Sequence, residues 1–216
     1  MEMDENNKTW DFDNWAERYN EEVRNDQEYY ARYDEILDMV VKVANTSPQK
    51  KVLDIGTGTG NLARRFLACG ATVVGLDRSE KMLAVARKKI GNDPRVEFYC
   101  VPDAFLHIPY PDNSFDVVAS TYAFHHIPHH AKSSAIREML RVLKPGGILV
   151  FGDLMFKDEE AEKNALNQYE WLEEEYFERI DELRTIFKEL GIKLNAQQFT
   201  PVTWVVWAVK DKVHIS

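Results

Sequence analysis

The stretch KVLDIGTGTGN, Lys51 to Asn61, sets an apolar run, an acid and three glycines at alternate positions. Glycine admits positive φ and lacks the Cβ that would obstruct a ligand lying across the backbone. Three glycines in five residues exceed what a plain tight turn needs, so Gly56, Gly58 and Gly60 read as a ligand cradle. A second acid, Asp77 in VVGLDRSEKM, stands one strand–helix–strand crossover later. A carboxylate there can accept hydrogen bonds from both hydroxyls of a ribose. Its other use, capping the next helix, is open to Ser79 as well, and the ribose role is favoured. The dinucleotide fingerprint G-x-G-x-x-G would need glycine at position 61, which is Asn61. Asp54, at the strand end, disfavours a bound diphosphate and favours a cation, although it could also bond loop amides. An adenosine-type cofactor fits better than a pyrophosphate.

The other chemically loaded stretch is FHHIPHH, with His125, His126, His129 and His130. Histidine titrates near neutrality and serves as a general base. The pairs His125/His129 and His126/His130 have the spacing of metal ligands on one helix face, but Pro128 restricts the residue before it and breaks that face. No metal is expected. His107 and His214 read as surface residues.

These residues need a frame, and the pattern supplies one. Lys51–Ile55, Thr72–Leu76, Val96–Val101, Phe115–Ser120 and Ile148–Phe151 read as strands. Asn61–Ala68, Glu80–Ile90 and Ala131–Leu143 read as helices between them, and the alternation implies a parallel sheet covered on both faces. Ahead of it, Phe12, Trp15, Ala16 and Tyr19 lie on one face of a helix capped by Asp11, and a second helix runs from about Glu28 to Ala44. Most of these aromatics are expected to pack in the core. After Asp153, Trp171, Leu172, Phe177, Ile180, Leu183, Ile186, Phe187 and Leu190 recur at near-helical intervals, and IKLNAQQF and TWVVWAVK form a closing antiparallel hairpin around Pro201. One domain is expected, divided as 1–47, 48–153 and 154–216.

With 27 Lys and Arg against 36 Asp and Glu, the net charge is −9. A phosphate backbone would be repelled, so nucleic acid is not expected as a partner. No apolar stretch approaches the roughly 20 residues that span a bilayer, the N-terminus lacks signal-peptide character, and the cytoplasm is the expected location. Cys69 and Cys100 have no metal-like spacing.

Taken together, VLDIGTGTGNL, GLDRSEKMLAVAR, PDAFLHIPYPDNSFDVVASTYAFHHI and EMLRVLKPGGILVFGDL resemble the class I AdoMet-dependent methyltransferases over residues 50 to 155. With FDNWAERYN and TWVVWAVK included, the chain looks most like small, uncharacterised bacterial methyltransferases of the Bacillus type. The resemblance implies an α/β Rossmann-like fold: a seven-stranded, mostly parallel sheet with an antiparallel last strand, helices on both faces and an N-terminal helical lid. It implies S-adenosylmethionine as cofactor and a small-molecule acceptor, neutral or cationic given the acidic lid. By the same resemblance, Gly56, Thr57, Gly58 and Gly60 cradle the methionine and sugar, Asp54 helps hold the ammonium, and Asp77 with Arg78 takes the ribose. Asp103 and Ala104 meet the adenine, Ser120 underlies the methionine tail, Tyr19 closes the lid, and His125 is the candidate base. The motifs of nucleic-acid methylation are absent, since residues 120 to 123 read STYA. The alternatives are an AdoMet-binding protein without catalysis and, less favoured, an NAD-dependent oxidoreductase. The second is disfavoured by Asn61 and by a missing Tyr-x-x-x-Lys pair.

Overall fold

The computed structural model of the protein describes residues 12–26, 28–172 and 175–211. Asp11, the expected cap, and His214 lie outside these. The first expected helix divides into α1 (Phe12–Trp15) and α2 (Tyr19–Asn25), joined by a turn in which Arg18 N–H bonds Trp15 O at 3.0 Å. The second is shorter than expected. Asp26 Oδ1 accepts from the backbone N–H of Glu28 and Tyr29 at 3.0 and 2.9 Å, which folds that segment into a turn. Arg32 then adopts a left-handed φ of 61°, so α3 spans Tyr33–Ala44 only. Asn45, also left-handed, ends it.

The alternating region follows the sequence pattern closely: β1 (Lys51–Ile55), α4 (Asn61–Ala68), β2 (Thr72–Asp77), α5 (Glu80–Ile90), β3 (Val96–Cys100), β4 (Phe115–Thr121) and α6 (His129–Val142). β5 (Leu143–Phe156) is much longer than expected. It pairs with β4 in parallel, with an irregularity between Phe115 and Val117. Its C-terminal half is buried on both faces, which erases the alternation that would have marked its length. The acidic region that reads as one helical texture is two helices, α7 (Glu159–Gln168) and α8 (Ile180–Glu189), separated by a 3-10 turn at Glu170–Leu172 and by a two-residue strand, β6 (Glu178–Arg179), paired with β5. The hairpin is β7 (Leu194–Thr200) and β8 (Thr203–Val209).

The strand order is β3-β2-β1-β4-β5-β8-β7, with β6 off this path on β5. β8 runs antiparallel to β5, as the expected fold requires. Neighbouring residues of one strand serve opposite cores. Val52, Val73, Val117 and Val150 meet α3 and α4 through Ile36, Val40 and Phe66. Leu53, Val74, Val118 and Phe151 meet α6 and α8 through Ile136, Met139 and Phe187. Because β2 and β4 flank β1 on opposite sides, chain direction reverses at β1, and a crevice opens beyond the carboxyl ends of β1 and β4. Among the described residues, no helix is long and apolar enough to cross a membrane.

Candidate active site

The glycine loop lies at that crevice and is fixed by its backbone. Gly56 and Thr57 N–H both donate to Leu76 O, at 2.8 and 3.0 Å, tying the loop to the end of β2. Gly56 has φ of +69°, and a Cβ there would sit 2.4 Å from the Ala123 Cβ, so the turn after β1 can approach the turn after β4 only as glycine. Gly60 plays the same part against α5, with the Ala86 Cβ at 3.1 Å. Gly58 differs. It lines the cavity, and a Cβ on it would meet only the Gly56 carbonyl oxygen, at 4.0 Å.

Two buried acids flank the loop. Asp54 Oδ2 accepts from Thr57 Oγ1 at 2.7 Å, whereas Asp54 Oδ1 is buried without a hydrogen-bond partner. Burial, with a smaller push from Asp77, raises its pKa to about 7 despite the Thr57 bond. Asp77 Oδ2 accepts from Gly58 N–H at 2.7 Å and its Oδ1 from Ser79 N–H at 2.9 Å. Burial raises its pKa too, against those backbone bonds. Ser79 caps α5 by accepting from Met82 N–H at 3.1 Å and donates to Asp13 Oδ1 at 2.6 Å, which joins α1 to the start of α5. The Arg78 guanidinium lies 5.9 Å from the centre of the Phe12 ring.

Aromatic rings roof the cavity. Tyr19 meets Trp15 edge-on at 4.9 Å between centroids and Tyr30 at 6.0 Å, and Tyr33 meets Tyr122 at 5.2 Å. Burial holds the Tyr19 hydroxyl well above its ordinary pKa, so it stays neutral. Lys89 Nζ donates to Asn20, Thr59 and Asn61 side-chain oxygens at 2.8, 2.9 and 2.6 Å, linking α2 to the glycine loop. Burial, followed by Arg64 and Arg24, lowers its pKa to about 8.

The histidines occupy different depths. His126 lines the cavity, and its ring packs on Phe12 at 5.1 Å. His125, 1% exposed, lies behind the wall. Its Nδ1 bonds Asp153 Oδ1, and its Nε2 is 3.0 Å from the hydroxyl of Tyr29, a residue that does line the cavity. Asp153, near the end of β5, also accepts from the backbone N–H of Phe124 and Leu154, at 2.7 and 2.8 Å. These bonds fix the tautomer: Nδ1–H donates to the carboxylate, and Nε2 accepts from Tyr29. Burial alone would depress the His125 pKa, but Asp153 outweighs it and holds it above the ordinary value. The same contact holds Asp153 low against burial. Burial and then His125 push His126 down to about 4. Glu175 Oε2 sits 3.2 Å from His126 Nδ1 and 3.8 Å from His125 Nε2. His129 and His130 are exposed at the start of α6.

Of the residues expected at the site, Tyr19, Gly56, Thr57, Gly58, Asp77, Arg78, Asp103 and Ala104 line one cavity. Asp54, Gly60, Ser120 and His125 stand behind it. Ser120 is fully buried in β4, and the cavity wall is taken over by Thr121, Tyr122 and Ala123, which the left-handed Tyr122 turns outward from the strand. The metal-ligand spacing considered above is not what converges. The ligand atoms of His125, His126 and Glu175 lie within 4.8 Å of one another. Asp153, Tyr29 and Glu175 were not singled out in the sequence. For Asp153 a signal existed, an acid at the end of a hydrophobic strand in VFGDL; Tyr29 was hidden among aromatics that read as core.

Residues 53–151 match the family described as methyltransferase domain. An uncharacterized methyltransferase of Geobacillus sp. (strain WCH70) is 35% identical over 213 residues, covering 93% of this chain and 96% of that one. Among solved structures, the methyltransferase in complex with the Haloferax volcanii Trm112 activator aligns with a TM-score of 0.75 at 20% identity, covering 95% of this chain and 98% of that one. Haemonchus contortus phosphoethanolamine N-methyltransferase 2, in complex with phosphomonomethylethanolamine and S-adenosylhomocysteine, aligns at 0.71 and 20% identity over 94% of this chain and 61% of that one. The chain, by its relationship across almost its whole length, belongs to this methyltransferase family.

Proposed function

We propose that the protein is an S-adenosylmethionine-dependent methyltransferase acting on a small molecule, with the whole chain working as one unit. One observation carries the reading: the glycine loop, Asp77 and Asp103 surround a single cavity at the β1/β4 crevice. The residues fit the cofactor. The spare buried oxygen of Asp54 suits an ammonium reached through water or loop amides. The open side of Gly58 leaves room for the methionine and sugar. Asp77 retains acceptor lone pairs for ribose hydroxyls, and Asp103 with Ala104 takes the adenine edge. The Haemonchus neighbour is in complex with S-adenosylhomocysteine and a small molecule, phosphomonomethylethanolamine.

When bound, the cofactor supplies an activated methyl group on a sulfonium. The protein's part is to align the acceptor and exclude water, which the Trp15–Tyr19–Tyr30 roof is placed to do. Where the acceptor must lose a proton, Tyr29 takes it while passing its own to His125 Nε2, and Asp153 stabilises the imidazolium. His125 thus acts as base through Tyr29.

Thermal unfolding with S-adenosylhomocysteine, S-adenosylmethionine and NAD tests the assignment. A ligand at 100 times its dissociation constant adds about 2.7 kcal/mol. Stabilisation by the first two alone is expected; stabilisation by NAD alone would overturn the reading.

A further inference from the structure

We propose that the acceptor is a cationic amine, and that its ammonium group binds in a side chamber between α2 and Glu175. This rests on the cofactor assignment above and extends it. The chamber adjoins the main cavity through Trp15, Tyr29, Tyr30 and His126, which line both. Its remaining walls are Glu22, Asn25, Asp26 and Glu175, so three carboxylates and three aromatic rings meet there, and among the described residues no lysine or arginine lines it.

Glu22 Oε2 accepts from Trp15 Nε1–H, and its Oε1 is 4.0 Å from the Nε of Arg18, a side chain 70% exposed. Asp26 Oδ1 accepts two backbone N–H groups. Glu175 is decisive: its side chain is 6% exposed, it lines the chamber, and its buried Oε2, 3.2 Å from His126 Nδ1, makes no hydrogen bond of good geometry among the described residues. Its close neighbour His126 is held neutral by burial, so no imidazolium faces Glu175 from that side. A buried carboxylate oxygen on the wall of such a chamber calls for a charge-assisted donor. Faces of Trp15, Tyr29 and Tyr30 add the quadrupole attraction that ammonium groups find in aromatic cages. A carboxylate or phosphate in the same chamber would face three carboxylates.

The chamber also places such an amine beside the proton acceptor. The ammonium nitrogen loses a proton to the Tyr29 oxygen as Tyr29 passes its own to His125 Nε2. The freed lone pair forms the N–C bond to the transferring methyl as the C–S bond breaks, its electron pair staying on sulfur. The products are an N-methylated ammonium, a neutral thioether and a proton leaving through His125.

The test is methyl transfer from radiolabelled S-adenosylmethionine to a panel of primary and secondary amines (alkyl, arylalkyl and polyamine), each matched with its alcohol and carboxylate counterpart. S-adenosylhomocysteine binding is measured in parallel. Label in amines alone is expected, with KM for the best amine rising roughly 10- to 100-fold in Glu175→Gln while S-adenosylhomocysteine affinity is retained. Label confined to alcohols, carboxylates or a macromolecule, or no label in any amine while S-adenosylhomocysteine still binds, would overturn the proposal. So would amine labelling that vanishes with chelator and returns with a divalent metal, which would give the His125, His126 and Glu175 cluster to a cation instead. Failure of S-adenosylhomocysteine to bind would refute the cofactor assignment and be read separately.

Discussion

The Tyr29 hydroxyl stands 3.0 Å from His125 Nε2, and the opposite nitrogen of that ring is held by Asp153. The relay therefore joins the turn before α3, the 3-10 segment Phe124–His126 and the end of β5, and Tyr29 is its member on the cavity wall.

His125→Ala and Tyr29→Phe should each lower kcat by roughly 10²- to 10⁴-fold, the usual yield of general-base catalysis. Neither should change S-adenosylhomocysteine affinity, since neither touches the glycine loop. Steady-state kinetics beside calorimetry separate the two effects. Unchanged turnover in both variants would remove the relay from the mechanism.

The proposed relay also predicts a pH dependence. His125 accepts a proton only when neutral, and Asp153 holds its pKa above the ordinary imidazole value. Activity should therefore rise with pH, with the midpoint above about 6.5. In Asp153→Asn burial dominates and the midpoint should fall, visible as a displaced limb of the kcat profile. An identical limb in both proteins would show that another group titrates.

Asp77→Ala should weaken S-adenosylhomocysteine binding by about 1.5–3 kcal/mol, the worth of hydrogen bonds to a charged group. The same carboxylate holds Gly58 and Ser79 N–H, so a small drop in Tm should accompany the loss. Affinity equal to the parent's would exclude a ribose contact.

Asp54 links binding to proton release. Its folded pKa, about 7, lies above the unfolded value near 3.9. Its contribution to the stability of the ligand-free protein is thus full below about pH 4 and is lost as pH rises through 7. A nearby ammonium favours the ionised form, so cofactor binding below pH 7 should release up to one proton per chain and tighten as pH rises. Calorimetry in buffers of different ionisation enthalpy measures this, and Asp54→Asn should abolish it. Release unchanged in that variant would place the titrating group elsewhere.

Gly56→Ala meets two obstacles, a φ of +69° and an Ala123 Cβ at 2.4 Å. It should cost about 1–3 kcal/mol in denaturant unfolding. Adding Ala123→Gly removes the collision but not the dihedral strain, so recovery should be partial. Full recovery would mean that the left-handed turn is not required.

The parallel core was legible because its periods were clean. α4 and α5 fall on their expected boundaries, since a capping Ser79 and terminal glycines mark where each pattern starts or stops. β5 was underestimated because double-sided burial leaves no alternation to read. The N-terminal helices were misjudged for a different reason. Aromatic spacing alone cannot register the Asp26 turn or the left-handed Arg32, both of which bring Tyr29 to the cavity. The proposed cofactor side of the site is local in sequence, in the GTGTG and LDRS stretches. The proposed acceptor side is assembled from Tyr29, His125, Asp153 and Glu175, whose proximity exists only after folding.

Calorimetric titration of the purified protein with S-adenosylhomocysteine tests the cofactor assignment most directly. One saturable site per chain is expected, competed by S-adenosylmethionine, indifferent to NAD and weakened in Asp77→Ala. Absence of saturable binding, or binding that Asp77→Ala leaves untouched, would contradict it.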